Sequence, residues 1–173
     1  MAPRARVGTT TPGPSAPDGH RYVVDAAVVA KWLFPEEGTP SALDLFDAWA
    51  AGRIELLAPD VLVQELGAIC RRKVRAGDLP AAGVDEAFKL LLGALPELTP
   101  SGELAPLALQ LALRHDRAYA DALHLTLALR EGCAYVTADE RLFRALAPAF
   151  PCVRYLPDLT PPPTERPALR LLV

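Results

Sequence analysis

The chain has 173 residues, 51% of them hydrophobic, and a formal net charge of −3. That length suits one domain with a good core. The acidic balance, with a pI near 5.6, excludes binding to nucleic acid through overall charge alone and leaves only a local patch or a metal. No apolar run approaches the ~20 residues of a membrane span. The three cysteines, Cys70, Cys133 and Cys152, form no CxxC pair. Their spacing fits a reducing, cytoplasmic setting and argues against a disulfide framework or a zinc site.

Residues 1–20 are rich in Pro, Gly, Thr and Ser. They lack the apolar stretch of a signal peptide and are expected to be a disordered leader. The run Arg21-Tyr22-Val23-Val24-Asp25 reads as a buried strand ending on a carboxylate. A short helix should follow to Leu33, and a second, capped by Thr39 or Ser41, should stop at Gly52. Ile54–Ala58 is a short strand. Pro59-Asp60 then opens a long helix, Val61–Ala76, with Asp60 as its cap and Gly77 past its end. Its apolar stripe is Leu62, Leu66 and Ile69. Its last turns carry Arg71, Arg72, Lys73 and Arg75, where cations suit the helix dipole.

Pro80–Leu95 should be a helix, Glu97–Thr99 an extended piece, and Leu104–His115 a helix with an early Pro106. Ala118–Glu131 is apolar almost all round, so it should be a buried helix ended by Gly132. Cys133–Thr137 reads as a strand and Asp139 as the start of the helix Glu140–Leu146. Val153–Tyr155 is a last strand, and residues 157–173 a Pro-rich tail. Strands separated by helices give an α/β class, a three-layer α/β/α domain over residues 21–156 with a mainly parallel sheet. Its ligand crevice is expected at the carboxyl ends of the strands.

Four acids fall in unusual places for surface charge. Asp25 and Asp139 each follow a strand directly. Glu65 borders the apolar stripe of its helix. Asp121 lies in the first turn of the apolar helix, where an unpaired carboxylate costs several kcal/mol and the helix N-terminus offsets only about 0.3–1 kcal/mol of it. Singly, each has an ordinary reading: Asp25, Asp121 and Asp139 as helix caps or first-turn acids, Glu65 as a half-exposed edge residue. Together at one sheet edge they would repel without a cation. Carboxylates with water are the ligand set of Mg²⁺ or Mn²⁺, and such sites activate water for phosphoryl displacement.

The order Val-Val-Asp25, Glu65 after a Pro-Asp strand exit, Tyr-Ala-Asp121-Ala-Leu-His-Leu-Thr-Leu-Ala and Val-Thr137-Ala-Asp139-Glu-Arg-Leu resembles a PIN domain. More narrowly, it resembles the VapC-type toxins of toxin–antitoxin pairs. The resemblance spans about Arg21 to Leu156 and implies a PIN-like fold. It implies that Asp25, Glu65, Asp121 and Asp139 are the acidic metal-binding quartet, supported by the Thr137 hydroxyl. It also implies a Mg²⁺- or Mn²⁺-dependent endoribonuclease that leaves a 5′-phosphate, a homodimer, and a small antitoxin that blocks the acidic crevice. The chain departs from the family in having Ala26 and Ala27 where a Ser often follows the first Asp. Arg71, Arg72, Lys73 and Arg75 are candidate contacts to RNA phosphates. The apolar helices around Trp49 and Phe88 are candidates for the dimer contact.

Two other classes stand beside this one. An aspartyl phosphatase with Asp25 as nucleophile would want an acid at Ala27, and a receiver-like phospho-acceptor an acid pair near the start of strand one. Neither is present. A non-catalytic PIN-like module would want one acid missing. His20, His115 and His124 form no metal cluster, and His124, one turn after Asp121, reads as a satisfied core histidine.

Overall fold

The computed structural model describes residues 20–160. The expected leader, apart from His20, and the tail beyond Thr160 lie outside the described residues. Five strands, β1 (Arg21–Val24), β2 (Glu55–Pro59), β3 (Glu97–Thr99), β4 (Ala134–Thr137) and β5 (Val153–Tyr155), form one sheet in the order β3-β2-β1-β4-β5. Every pairing is parallel. The helices are α1 (Ala26–Val29, running on as a 3₁₀ turn through Trp32), α2 (Thr39–Ala50), α3 (Val61–Ala76), α4 (Ala81–Gly93), α5 (Ser101–His115), α6 (Tyr119–Glu131) and α7 (Glu140–Leu146).

Alternation along the strands divides the core into two layers. Tyr22, Val24, Leu56, Ala58 and Val136 face α1 to α4, packing on Leu45, Leu62, Leu66 and Leu91. Val23, Leu57, Tyr135 and Val153 face α5 to α7, packing on Leu104, Leu123, Leu127 and Leu146. The expected three-layer α/β/α arrangement with a parallel sheet is the observed one. The strand order reverses between β1 and β4. A parallel α/β sheet places its ligand crevice at such a reversal, beyond the strand ends.

Local signals account for most boundaries. Gly77 and Gly132 end α3 and α6 in the left-handed conformation, at φ +82° and +64°, where glycine carries no Cβ penalty. Asp60 does not cap α3. Its own backbone is already helical, with no side-chain bond to that helix. Instead Asp60 Oδ1 accepts from the backbone N–H and the hydroxyl of Ser101, tying the start of α3 to the first residue of α5. That contact starts α5 three residues earlier than its apolar pattern indicates, so Pro106 falls past the first turn. Among the described residues no helix is long and apolar enough to cross a membrane.

Candidate active site

Parallel register brings the acids together. Val24 pairs with Val136, so the residues after them, Asp25 and Thr137, leave the sheet side by side. Asp139 follows two residues later as the cap of α7. Glu65 enters on α3, which leaves the carboxyl end of β2, and Asp121 on the first turn of α6. Asp25, Glu65, Asp121 and Asp139 all line one cleft of about 250 Å³. The remaining wall is Ala26 and Ala27 of α1, the Ala68–Arg72 face of α3, and Leu142 of α7.

The two cap-like acids do cap. Asp25 Oδ1 accepts from Val28 N–H at 3.0 Å. Asp139 Oδ1 accepts from the N–H groups of Arg141 at 2.8 Å and Leu142 at 3.1 Å. Capping uses one oxygen of each carboxylate, so it does not compete with a role for the rest of the group in the cleft. The ordinary reading of these acids and the metal reading are compatible.

Asp25 is held further by hydroxyls. Tyr135 donates to Oδ2 at 3.3 Å, and Thr137 also donates to the carboxylate. These stand where the resemblance leads one to look for a Ser after the first acid; Ala26 and Ala27 carry no hydroxyl. Tyr135 went unread in the sequence, yet it lies two residues before Thr137 and so on the same face of β4. The Thr137 oxygen accepts from Asp139 N–H at 3.0 Å, linking the two strand exits.

Burial and like charge act together on the cluster. Burial raises Asp25 from its ordinary 3.8 to about 6, although the Thr137, Val28 and Tyr135 hydrogen bonds pull the other way. Burial, then the charges of Asp25 and Asp121, raise Glu65 to about 7. Burial, then Asp139, raise Asp121, with Arg117 opposing. Perturbation of this kind, concentrated in one cleft, marks candidate functional groups.

His124 is fully buried, as a core histidine should be, but only half satisfied. Its Nδ1 lies 3.0 Å from the Ala120 carbonyl. Among the described residues its Nε2 has no hydrogen-bond partner, and it faces Glu65 Oε2, also without one, at 3.6 Å. Burial holds the imidazole down to about 4. The basic end of α3 divides. Among the described residues Arg72 is the single cation lining the cleft, and no carboxylate is in ion-pair reach of it. Lys73 bonds to Glu36 at 2.5 Å and sits 5.2 Å over the Phe34 ring. Arg71 and Arg75 are exposed and do not line the cleft.

Among the described residues the donor set fits a hard cation: four carboxylates, no thiol, and one buried carboxylate oxygen left without a partner. Among the described residues no three Asp, Glu, His or Cys side chains already enclose a single point. An ion here would therefore complete its shell with water, as Mg²⁺ commonly does.

Two solved structures share the fold. PAE2754 from Pyrobaculum aerophilum aligns with a TM-score of 0.56 at 18% identity, covering 80% of this chain and 92% of its own. VapC20 of Mycobacterium tuberculosis, a toxin that cleaves the sarcin–ricin loop, aligns with a TM-score of 0.54 at 15% identity, covering 72% of this chain and 94% of its own. No curated protein sequence matches. The family model of the PIN domain matches residues 22–147, from β1 through α7, and so takes in all four cleft acids; the chain belongs to the PIN-domain family.

Proposed function

We propose that this PIN-domain protein is a divalent-metal-dependent endoribonuclease and the toxin of a toxin–antitoxin pair. One observation carries the reading: Asp25, Glu65, Asp121 and Asp139 line a single cleft at the strand-order reversal, with burial and mutual repulsion raising three of them. Such a cluster is relieved by a cation, and the four carboxylates would hold Mg²⁺ or Mn²⁺, in part through water. A bound ion of this kind supplies an activated water and offsets charge building on the phosphate. The chain's own part is to fix the ligands. Hydroxyls from Tyr135 and Thr137 anchor Asp25, and the α7 cap anchors Asp139.

RNA is the substrate class. VapC20, a sarcin–ricin-loop-cleaving toxin, supports this through the shared fold. Arg72 holds a backbone phosphate at the rim, with Arg71 and Arg75 on the approach and Lys73 bracing the helix through Glu36. The partner is a small antitoxin that places a basic side chain among the acids, where charge complementarity favours it. The protein is a homodimer through α2 and α4. Trp49 and Phe88 pack half-buried on the core there, and Leu43, Leu90 and Leu92 remain exposed beside them.

The test is cleavage of an RNA pool by purified protein, with and without EDTA, followed by Mg²⁺ or Mn²⁺ add-back. Products should carry 5′-phosphates and vanish with chelation. Cleavage that persists in EDTA, or none with either metal, overturns the reading. Light scattering across micromolar concentrations tests the dimer, and a monodisperse monomer rejects it.

A further inference from the structure

His124 reaches the candidate site from beneath. The Ala120 carbonyl can only accept, so Nδ1 at 3.0 Å from it carries a hydrogen. The ring lies flat against Tyr135, with centroids 5.7 Å apart and planes 14° from parallel. These two contacts fix the orientation of the imidazole and aim Nε2 away from its own helix, at Glu65 Oε2. Both facing atoms are buried, and neither has another partner among the described residues. Buried polar atoms left unpaired are costly. At 3.6 Å they touch without yet bonding, and a small approach of the Glu65 carboxyl brings them within hydrogen-bond distance and satisfies both.

We propose that His124 is a positioning residue for Glu65: a hydrogen bond between its Nε2 and Oε2 turns the other carboxyl oxygen to the cleft. Tyr135 does the same for Asp25 through its hydroxyl. The stacked pair is thus a polar floor under two of the four acids, one ring to each. The consequence for a metal rests on the nuclease reading above. Residues that hold a ligand in place are commonly worth about 10–100-fold in metal affinity.

The experiment measures Mn²⁺ binding to metal-free protein by the loss of the free-ion EPR signal, so RNA cleavage does not enter. His124→Phe keeps a ring to stack on Tyr135 and removes both nitrogens. Its Mn²⁺ affinity should fall about 10-fold or more, while melting without metal is unchanged or higher. His124→Gln, which places a polar atom near the Nε2 position, should recover most of the affinity. His124→Asn, which reaches only the Nδ1 position, should not. In a Glu65→Gln background His124→Phe should have no further effect, whereas its loss should multiply with that of Asp139→Asn. A packing role predicts the opposite order, with Phe tolerated and Asn and Gln equally poor. Wild-type affinity in His124→Phe, or a full loss persisting beside Glu65→Gln, overturns the proposal. If His124→Phe does not fold, the Gln and Asn comparison decides alone. Wild-type protein that binds no Mn²⁺ overturns the nuclease reading, and this inference with it.

Discussion

Thr137 and Asp139 are joined across the exit of β4: the Asp139 N–H donates to the Thr137 hydroxyl oxygen at 3.0 Å. The same hydroxyl donates its proton to the Asp25 carboxylate. One buried oxygen therefore spans the two strand exits that bracket the cleft. It also satisfies a backbone donor that the turn would otherwise leave unpaired.

Thr137→Val keeps the shape and removes both bonds. A lost buried hydrogen bond costs about 1 kcal/mol, and more where a donor is stranded. Melting should drop by a few degrees, and Asp25, deprived of one stabilising donor, should be harder to ionise. Metal-dependent cleavage is expected to fall about tenfold, as for other groups that support ligands. Thr137→Ser should retain most of both. A Val variant with wild-type rate and melting would remove Thr137 from the site.

The pH dependence has a definite sign. Asp25 and Glu65 are raised from 3.8 and 4.5 to about 6 and about 7, so between these limits the folded chain binds more protons than the unfolded one. Stability of the metal-free protein then falls as pH rises through that window. His124, held down to about 4 from 6.5, works against this, because the unfolded chain takes the proton the folded one refuses. Two raised acids outweigh one depressed imidazole. Metal-free melting should decline from about pH 5 to about pH 7.5, and Asp25→Asn should flatten the decline. Cations compete with the same protons, so added Mg²⁺ should raise melting more at the upper pH. A metal-free melting temperature that climbs over this range would contradict the assignment.

Arg72 lies seven residues after Glu65 on one face of α3, about 10 Å along the helix axis. A phosphate it binds is therefore separated from the acids. Arg72→Ala should raise KM for RNA several-fold, leave kcat nearly unchanged, and lower the salt slope of binding by about one. Arg71→Ala and Arg75→Ala should do less, since neither lines the cleft. Lys73→Ala should register mainly in stability, through the lost Glu36 contact. Equal effects at all four positions would mean a diffuse basic field, not a cleft contact.

The frame of the fold was legible because its signals are local. A β-branched run ending on an acid marks β1, and Thr137-x-Asp139 marks the end of β4. The bounds of α3 and α7 match their sequence signals because a strand exit or cap precedes each, and a glycine or a nearby proline follows. What was not legible is non-local. Asp60 reads as the cap of its own helix, yet it serves Ser101, forty-one residues on. Tyr135 reads only as part of the Cys133–Thr137 strand, and the β1–β4 register is what brings its hydroxyl to Asp25. His124 reads as a satisfied core histidine. Its lack of a second partner emerges only when α3 brings Glu65 against α6.

The last expectation concerns the acids, where capping and catalysis predict different results. Asp25 and Asp139 cap through Oδ1, and Asn caps about as well as Asp. Asp25→Asn and Asp139→Asn should therefore fold, and melting without metal should hold or rise as repulsion is relieved. Asp121→Asn removes a charge that burial already disfavours and should behave alike. If the cluster holds the cation, RNA cleavage should drop by orders of magnitude in each variant, and the Mg²⁺-induced rise in melting should shrink or vanish. The two readouts are taken on the same preparations, so misfolding cannot pass for lost chemistry. Asn variants that cleave RNA at the wild-type rate and keep the full Mg²⁺ shift would leave these carboxylates as helix caps and nothing more.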